Sequence, residues 1–507
     1  MIPSESRPRI GRVLERVDAL VDSYGSALAW IVITMGAILR LHGLDRQSLW
    51  MDELYSVQAS RSLDAIWAFY QWDLHPPLYS LLLHGWISVT GNSETAARLL
   101  SALCGIATLG VVWFLGRKTL GTPVALAFLG LMAFSQRAIY FSQEARSYAL
   151  LILLCTTLTL LWLPMMARKT ALSQSSAITF SILSILAGWT HYYGTIFACS
   201  LWGLLVVFRL LRPSSSATFG WFLGGAVVFL ACVAEYFFHN RFIGQSELPF
   251  RAEMASLWRD LPLFFFGTPF AIGAFFILAV CLALWRWIRP RGAEDAACLR
   301  SIGWLLALGA FVMLAALLLN VFRNSFSARN LLVLLPVVLG ISAIGLGGLS
   351  GRFRSTWAAL ACVAACSQFL ASAPWYWRGQ GKQQWREAAV VASNEATDRS
   401  LVATVANFDF QRSAIPAYDI EGDAWGYYFQ RSPTLKRLNE ESRIFQIASA
   451  ELPLLVRESE TLNADKLIVV RAHSSETAAV SAEIEALGRP FRHVPLVKSD
   501  VWIVDLK

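Results

Sequence analysis

Two adjacent acids, Asp52 and Glu53, close the segment Ser48-Leu49-Trp50-Met51-Asp52-Glu53, just after the first hydrophobic stretch. A positioned carboxylate can take a proton from a reacting group. Neighbours on a helix point about 100° apart, so the two acids cannot both serve one proton. One can act as base while the other orients a partner. The plain alternative is a solvated loop pair, or the acidic first turn of a helix. About twenty residues on comes His75-Pro76-Pro77-Leu78-Tyr79. Proline is tolerated in the first turn of a helix, so His75 would stand at a helix N-terminus. Alone, the motif also fits a simple turn.

A second short turn reads Phe141-Ser142-Gln143-Glu144-Ala145-Arg146-Ser147-Tyr148. Its length would hold Glu144 and Arg146 against neighbouring apolar segments rather than in bulk water. A snorkelling interfacial pair is the other reading. Arg323 and Arg329 flank the end of a late apolar segment. Arginine clusters suit a phosphate, and interfacial anchoring is the plainer role. Glu235 lies near the end of another apolar run, where an acid is a functional candidate.

The elements that would position these residues are mostly membrane helices. Of 507 residues, 56% are hydrophobic and 15% are charged, against about 25% charged in soluble domains. Mean hydropathy is +0.49. Apolar runs recur between short basic loops, the pattern of transmembrane helices. Net charge is +8. Residues 374–507 hold 16 Lys/Arg against 18 Asp/Glu, and the rest holds 27 against 17. The excess therefore sits in the loops of the membrane part. It reads as orientation, not nucleic-acid binding. The eight cysteines show no zinc-like spacing, and none falls in the last 140 residues, which excludes a disulfide framework there.

Basic loops set the topology. The N-terminus, with Arg7, Arg9, Arg12 and Arg16, reads as cytoplasmic, ahead of an uncleaved anchor. Spans are expected near 26–41, 98–116, 123–140, 147–166, 177–190, 194–209, 218–238, 264–287, 301–320, 330–348 and 356–373. Pro77–Val89 is too short to cross unaided and reads as a juxtamembrane or re-entrant helix. Arg117-Lys118, Arg168-Lys169, Arg209/Arg212, Arg286/Arg289/Arg291 and Arg352/Arg354 then all fall inside. The loop 42–97 and the tail 374–507 fall outside. Trp189, Trp258 and Trp375 would lie near the outer interface.

From Pro374 the character changes. Trp385–Ala396 has helical polarity, and Leu401–Asn407, Lys466–Ala472 and Val501–Leu506 read as strands. Thr477–Leu487 reads as a helix between two of them. The expectation is an α-helical polytopic membrane protein of about 11 spans, residues 1–373, with its first external loop at 42–97. An external α/β domain follows at 374–507.

The ordered set of motifs resembles the C-type glycosyltransferase superfamily. The closest resemblance is to the branch of protein O-mannosyltransferases, the lipid A aminoarabinose transferase and related bacterial polyprenyl-phosphate-sugar-dependent transferases. It covers about residues 26–350. It rests on Trp50-x-Asp52-Glu53, His75-Pro76-Pro77-Leu78-Tyr79, Glu94 with Ala97-Arg98-Leu99, Glu144-Ala145-Arg146-x-Tyr148, and Arg329 before an apolar span with Pro336. Relatives often read Arg-Tyr where this chain has Arg329-Asn330.

The resemblance implies transfer of a sugar from a polyprenyl-phosphate carrier to an external acceptor, with inversion at the anomeric carbon. The acceptor would be a glycolipid, a polysaccharide or a protein, at the outer face of the plasma (inner) membrane. The resemblance places the catalytic acid at Asp52, beside Glu53, and puts His75, Tyr79, Glu144, Arg146, Tyr148 and Arg329 toward the donor. The family's second-loop acid, near a divalent cation or the donor, falls on Glu144, with a metal-free Glu144–Arg146 pair as the rival reading. A transporter or lipid flippase is the alternative. It would place acids and broken helices at mid-membrane, whereas the notable acids here cluster at the outer ends.

Overall fold

A computed structural model describes residues 9–71, 73, 75–167, 174–211, 217–241, 254–267, 271–290, 292–322, 326–372, 376, 381–405, 425–472 and 477–507. Arg168, Lys169, Arg212, Arg291, Arg323, Trp375 and the side chain of Trp258 lie outside the described residues. The chain folds into two compact units. One comprises Met1–His42, Ile66–Val89 and Ala97–Pro374; the other comprises Gly43–Ala65, Thr90–Ala96 and Trp375–Lys507.

The first unit is helical, with α1 (Arg9–Leu41), α2 (Met51–Ala59) belonging to the second unit, and α3 (Leu63–Tyr70) and α4 (Leu78–Thr90) following in the chain. Then come α5 (Glu94–Leu120), α6 (Thr122–Ala133), α7 (Gln136–Ser142), α8 (Tyr148–Ala167), α9 (Gln174–Thr190) and α10 (Tyr192–Leu210). The series ends with α11 (Ala217–Asn240), α12 (Met254–Phe266), α13 (Ala271–Ile288), α14 (Ala293–Phe322), α15 (Leu335–Leu349) and α16 (Arg354–Ser372).

The protein is a multi-pass helical membrane protein, but the expected count of eleven spans is not borne out. Among the described residues, 6 helices are long and apolar enough to cross, or up to 7 if the bent pair α6 and α7 counts as one. Four other apolar helices, Leu78–Thr90, Ser175–Thr190, Leu223–His239 and Ile272–Ile288, are shorter. The run 123–140, expected to be one straight span, bends by 59° between α6 and α7.

That bend has a local cause. A broken helix leaves carbonyls without partners, and these are costly away from water. Arg40, buried near the end of α1, fills the gap. Its Nη1 donates to Ala133 O at 3.1 Å and to Gly36 O at 2.9 Å, and its Nη2 donates to Met132 O at 3.1 Å. The cation also suits the negative end of α6. On the other side of the break, the Ser135 hydroxyl accepts from Ala138 N and starts α7. Gly36 and Gly105 leave room: a Cβ on either would lie 3.3 Å or less from Arg40 atoms.

The helix α15 sits at the centre of this unit, with 94% of its span buried. Its glycines let backbones approach. A Cβ on Gly345 would fall 2.6 Å from Ala279 Cα, and one on Gly347 would fall 2.7 Å from Val124 N. Glycine here serves close packing inside a continuous helix, not a break.

The tail builds one five-stranded sheet of order β2-β1-β3-β5-β4. β1 (Ser400–Val405) pairs in parallel with β2 (Ile444–Ile447) and β3 (Lys466–Ala472). β5 (Ser499–Asp505) runs antiparallel to β3 and to β4 (Phe491–Leu496). Leu401, Ala403, Leu467, Val469, Trp502 and Val504 share one buried cluster with Leu452, Leu455, Val480 and Ile484 from the helices Leu452–Thr461 and Thr477–Ala486. The edge strand β4 carries Arg492, His493 and Pro495, residues that blunt an open edge.

Candidate functional site

Within the second unit, α2 begins with the two acids, and they differ sharply. Glu53 is 0% exposed. Its Oε2 accepts from Lys382 Nζ at 3.0 Å and from the Trp50 backbone N–H at 3.3 Å. One carboxylate oxygen thus caps the start of α2 and neutralises a nearly buried lysine. Asp52, one residue earlier, is only partly buried. The helical offset between neighbours has turned one acid inward and left the other at the surface.

Residues 45–51 are held from the tail. Ser48 Oγ donates to Gln383 O at 2.6 Å and accepts from Trp385 N at 3.1 Å. Gln383 Oε1 accepts from Met51 N at 3.3 Å. Gln47 Oε1 accepts from the backbone N–H groups of Gly381 and Lys382. Tyr428 accepts from Leu49 N at 2.7 Å and donates to Glu94 Oε1 at 2.6 Å. Burial, and then the Glu94 carboxylate, push the Tyr428 hydroxyl pKa upward, so it stays a donor. Arg386 pairs with Glu94 at 2.5 Å and donates to Asp45 O at 3.0 Å. None of these tail partners is signalled by spacing in the sequence. They lie more than three hundred residues from the loop that they hold.

Within the first unit, a second group forms around His75. Its Nδ1–H donates to Asp73 Oδ1 at 3.0 Å, which leaves Nε2 to accept from Arg146 Nη2 at 3.4 Å. The chain Asp73–His75–Arg146 thereby fixes the direction of a guanidinium. His191 lies edge-on to His75 at 5.4 Å between ring centroids, and Tyr148 lies 5.9 Å from His191. His191 caps α10, its Nδ1 accepting from Tyr193 N at 3.1 Å. Burial, with His75 and Arg146 adding to it, holds its pKa well below the ordinary histidine range. It is a neutral ring, as an accepting Nδ1 requires.

The other expected residues have different roles. Tyr79 is buried, with its hydroxyl 3.0 Å from Ser101 Oγ, and Ser101 donates to Arg146 O at 3.2 Å. It braces the turn that carries Arg146. Glu144 is fully buried, within electrostatic reach of Arg137. Among the described residues, no group of three or more His, Cys, Asp or Glu converges to hold a metal. A cation at Glu144 would therefore take its other oxygen ligands from water and a donor phosphate. Arg329 is exposed, one residue before the 3-10 turn Asn330–Leu334 that leads into α15. Glu235 accepts from Tyr70 at 3.1 Å. His239 donates to Tyr70 O at 2.6 Å and accepts from the Tyr192 hydroxyl. That group ties α3 to α10 and α11.

Residues 74–238 match the family model of dolichyl-phosphate-mannose-protein mannosyltransferase. Among solved structures, ArnT from Cupriavidus metallidurans bound to undecaprenyl phosphate aligns at TM-score 0.51 and 13% identity, over 94% of this chain and 97% of that chain. The fold is like that of ArnT. The apo structure of the same ArnT aligns at TM-score 0.47 and 14% identity, over 95% of this chain and 98% of that chain. No curated protein sequence matches the chain. The family match begins one residue before His75 and takes in Tyr79, Glu144, Arg146, Tyr148 and His191. The resemblance read from the ordered motifs is therefore borne out; His75 and Arg146 lie inside the matched segment, and Asp73 lies one residue before it.

Proposed function

We propose that this protein is an inverting glycosyltransferase that moves a sugar from a polyprenyl-phosphate donor to an acceptor at the outer face of the membrane. The observation that carries the reading is the division of labour at the start of α2. Glu53 is committed to Lys382 and the Trp50 N–H, while Asp52 is left partly exposed. The family match over 74–238 and the shared fold support the reaction class.

An acceptor hydroxyl is a poor nucleophile, so a base must take its proton as the new bond forms. Asp52 is that base. The acceptor oxygen attacks the anomeric carbon, and the bond from that carbon to the phosphate oxygen breaks. The electron pair leaves with the polyprenyl phosphate. That group is already an anion, so it needs no proton, only cationic stabilisation. Of the residues that the resemblance puts toward the donor, Arg146, aimed by His75, and Arg329 are cations of the kind that such a leaving group calls for. Glu53 acts through Lys382 as a positioning residue.

The test uses membranes from cells lacking the protein as the source of donor and acceptor, with purified full-length enzyme added back. Release of polyprenyl phosphate with a new, inverted glycosidic bond on the acceptor supports the reading. Donor left intact throughout overturns it.

A further inference from the structure

The second unit contains a cavity of about 420 Å³, lined in part by Glu94, Arg386, Val390, Asn394, Tyr427 and Arg431. Pockets that hold small ligands run from roughly 300 to 1,000 Å³. The glycosyl-transfer step as written does not use this one. Its chemistry is mixed. Val390 and the two tyrosines give it an apolar side. Ser393, Ser432, Asn394 and the guanidinium of Arg431 bring hydroxyl, amide and cationic donors to the same space. The Arg431 guanidinium carbon lies 3.6 Å from the Tyr427 ring centroid, and its Nη2 donates to Asn92 Oδ1 at 2.9 Å, so the head is held in place. Among the described residues no carboxylate forms an ion pair with it.

The walls of the cavity also hold the loop before Asp52. Arg386 binds the Asp45 carbonyl, and Tyr428 accepts from Leu49 N. A ligand seated here therefore rests on the same side chains that set the approach to the proposed base.

We propose that this cavity is an acceptor subsite for a saccharide, holding a ring next to the one that receives the new sugar; this rests on the glycosyl-transfer reading above. A pyranose has an apolar C–H face and a rim of hydroxyls, which matches tyrosine and valine beside amide, hydroxyl and guanidinium groups. A polypeptide acceptor fits less well. Extended peptides are usually taken by exposed strand edges, and this cavity is built by the helices Trp385–Glu395, Gly426–Phe429 and Pro433–Glu440 with the start of α5.

The experiment measures KM for acceptor and for donor, using a glycolipid and glycan extract and donor-bearing membranes from cells lacking the protein. Val390 is 51% exposed, so Val390→Trp fills the cavity from the surface. Arg431→Gln and Asn394→Ala remove donors without adding bulk. Each should raise the acceptor KM, Val390→Trp at least tenfold, with the donor KM not following. Glu458→Trp, exposed and outside the cavity, should change neither. Wild-type acceptor KM in both Val390→Trp and Arg431→Gln overturns the proposal. So does loss of acceptor activity after protease digestion of the extract, which would make the acceptor a polypeptide. Failure of the underlying reading shows itself differently: the wild-type enzyme then consumes no donor at all, and the subsite proposal falls with it.

Discussion

Asp52 and Glu53 are chemically near-identical neighbours that the fold sends to opposite fates. The sequence marks the pair as unusual and allows that one acts while the other orients. It cannot say which, because the deciding partner, Lys382, comes 329 residues later. A buried ion pair is costly to break from one side, about 3–5 kcal/mol, because the remaining charge stays uncompensated. Lys382→Met should therefore lower the thermal midpoint of the detergent-solubilised protein clearly. The Lys382→Met/Glu53→Gln double variant should recover part of the loss, since it leaves no buried charge. Equal midpoints for wild type and Lys382→Met would show that the pair carries no weight. His75 was legible as a motif but not as a link. Its role as the hinge between Asp73 and Arg146 depends on two turns brought together by packing.

At the level of elements, hydropathy located most helices and misread their continuity. The run 123–140 contains no proline or glycine at Phe134-Ser135 to announce a break. The bend is sustained by Arg40 from another helix, so its cause is tertiary. Charged hydrogen bonds contribute roughly 1.5–3 kcal/mol each, and Arg40→Met deletes those to Met132 O and Ala133 O. The variant should insert but lose thermal stability, with Arg40→Lys intermediate because lysine keeps charge without the fork. An Arg40→Met protein as stable as wild type would mean that these carbonyls find other partners. In the tail, β1, β3 and β5 were readable from valine and isoleucine. β2 has only four residues, and β4 is a polar edge strand, so neither showed a pattern to find.

For the whole molecule, the tail is structurally inseparable from the loop bearing Asp52. Ser48, Leu49, Met51 and Glu53 all bond to residues 382–428. An accessory module would not reach into the loop in this way. The loop and the tail belong to one compact unit, so whichever side of the membrane holds one holds the other; the basic loops carry the expectation that this side is outside. Lys436 is exposed on the helix Pro433–Glu440. Lys436→Cys in intact cells should react with a membrane-impermeant thiol reagent beyond the wild-type level. Reaction only after permeabilisation would move both the tail and the proposed base to the cytoplasmic side.

The central claim is that Asp52 is the base and Glu53 its neighbour's support. Purified Asp52→Asn, Glu53→Gln and wild-type protein, matched for membrane yield and assayed well below the lowest thermal midpoint of the three, can be compared in transfer from endogenous polyprenyl-phosphate sugar at saturating acceptor. Removing a general base typically costs about a hundredfold or more. Asp52→Asn is predicted to fall by at least that factor with donor KM little changed, and Glu53→Gln to fall less. Near-wild-type turnover by Asp52→Asn, or a larger loss in Glu53→Gln, would contradict the account.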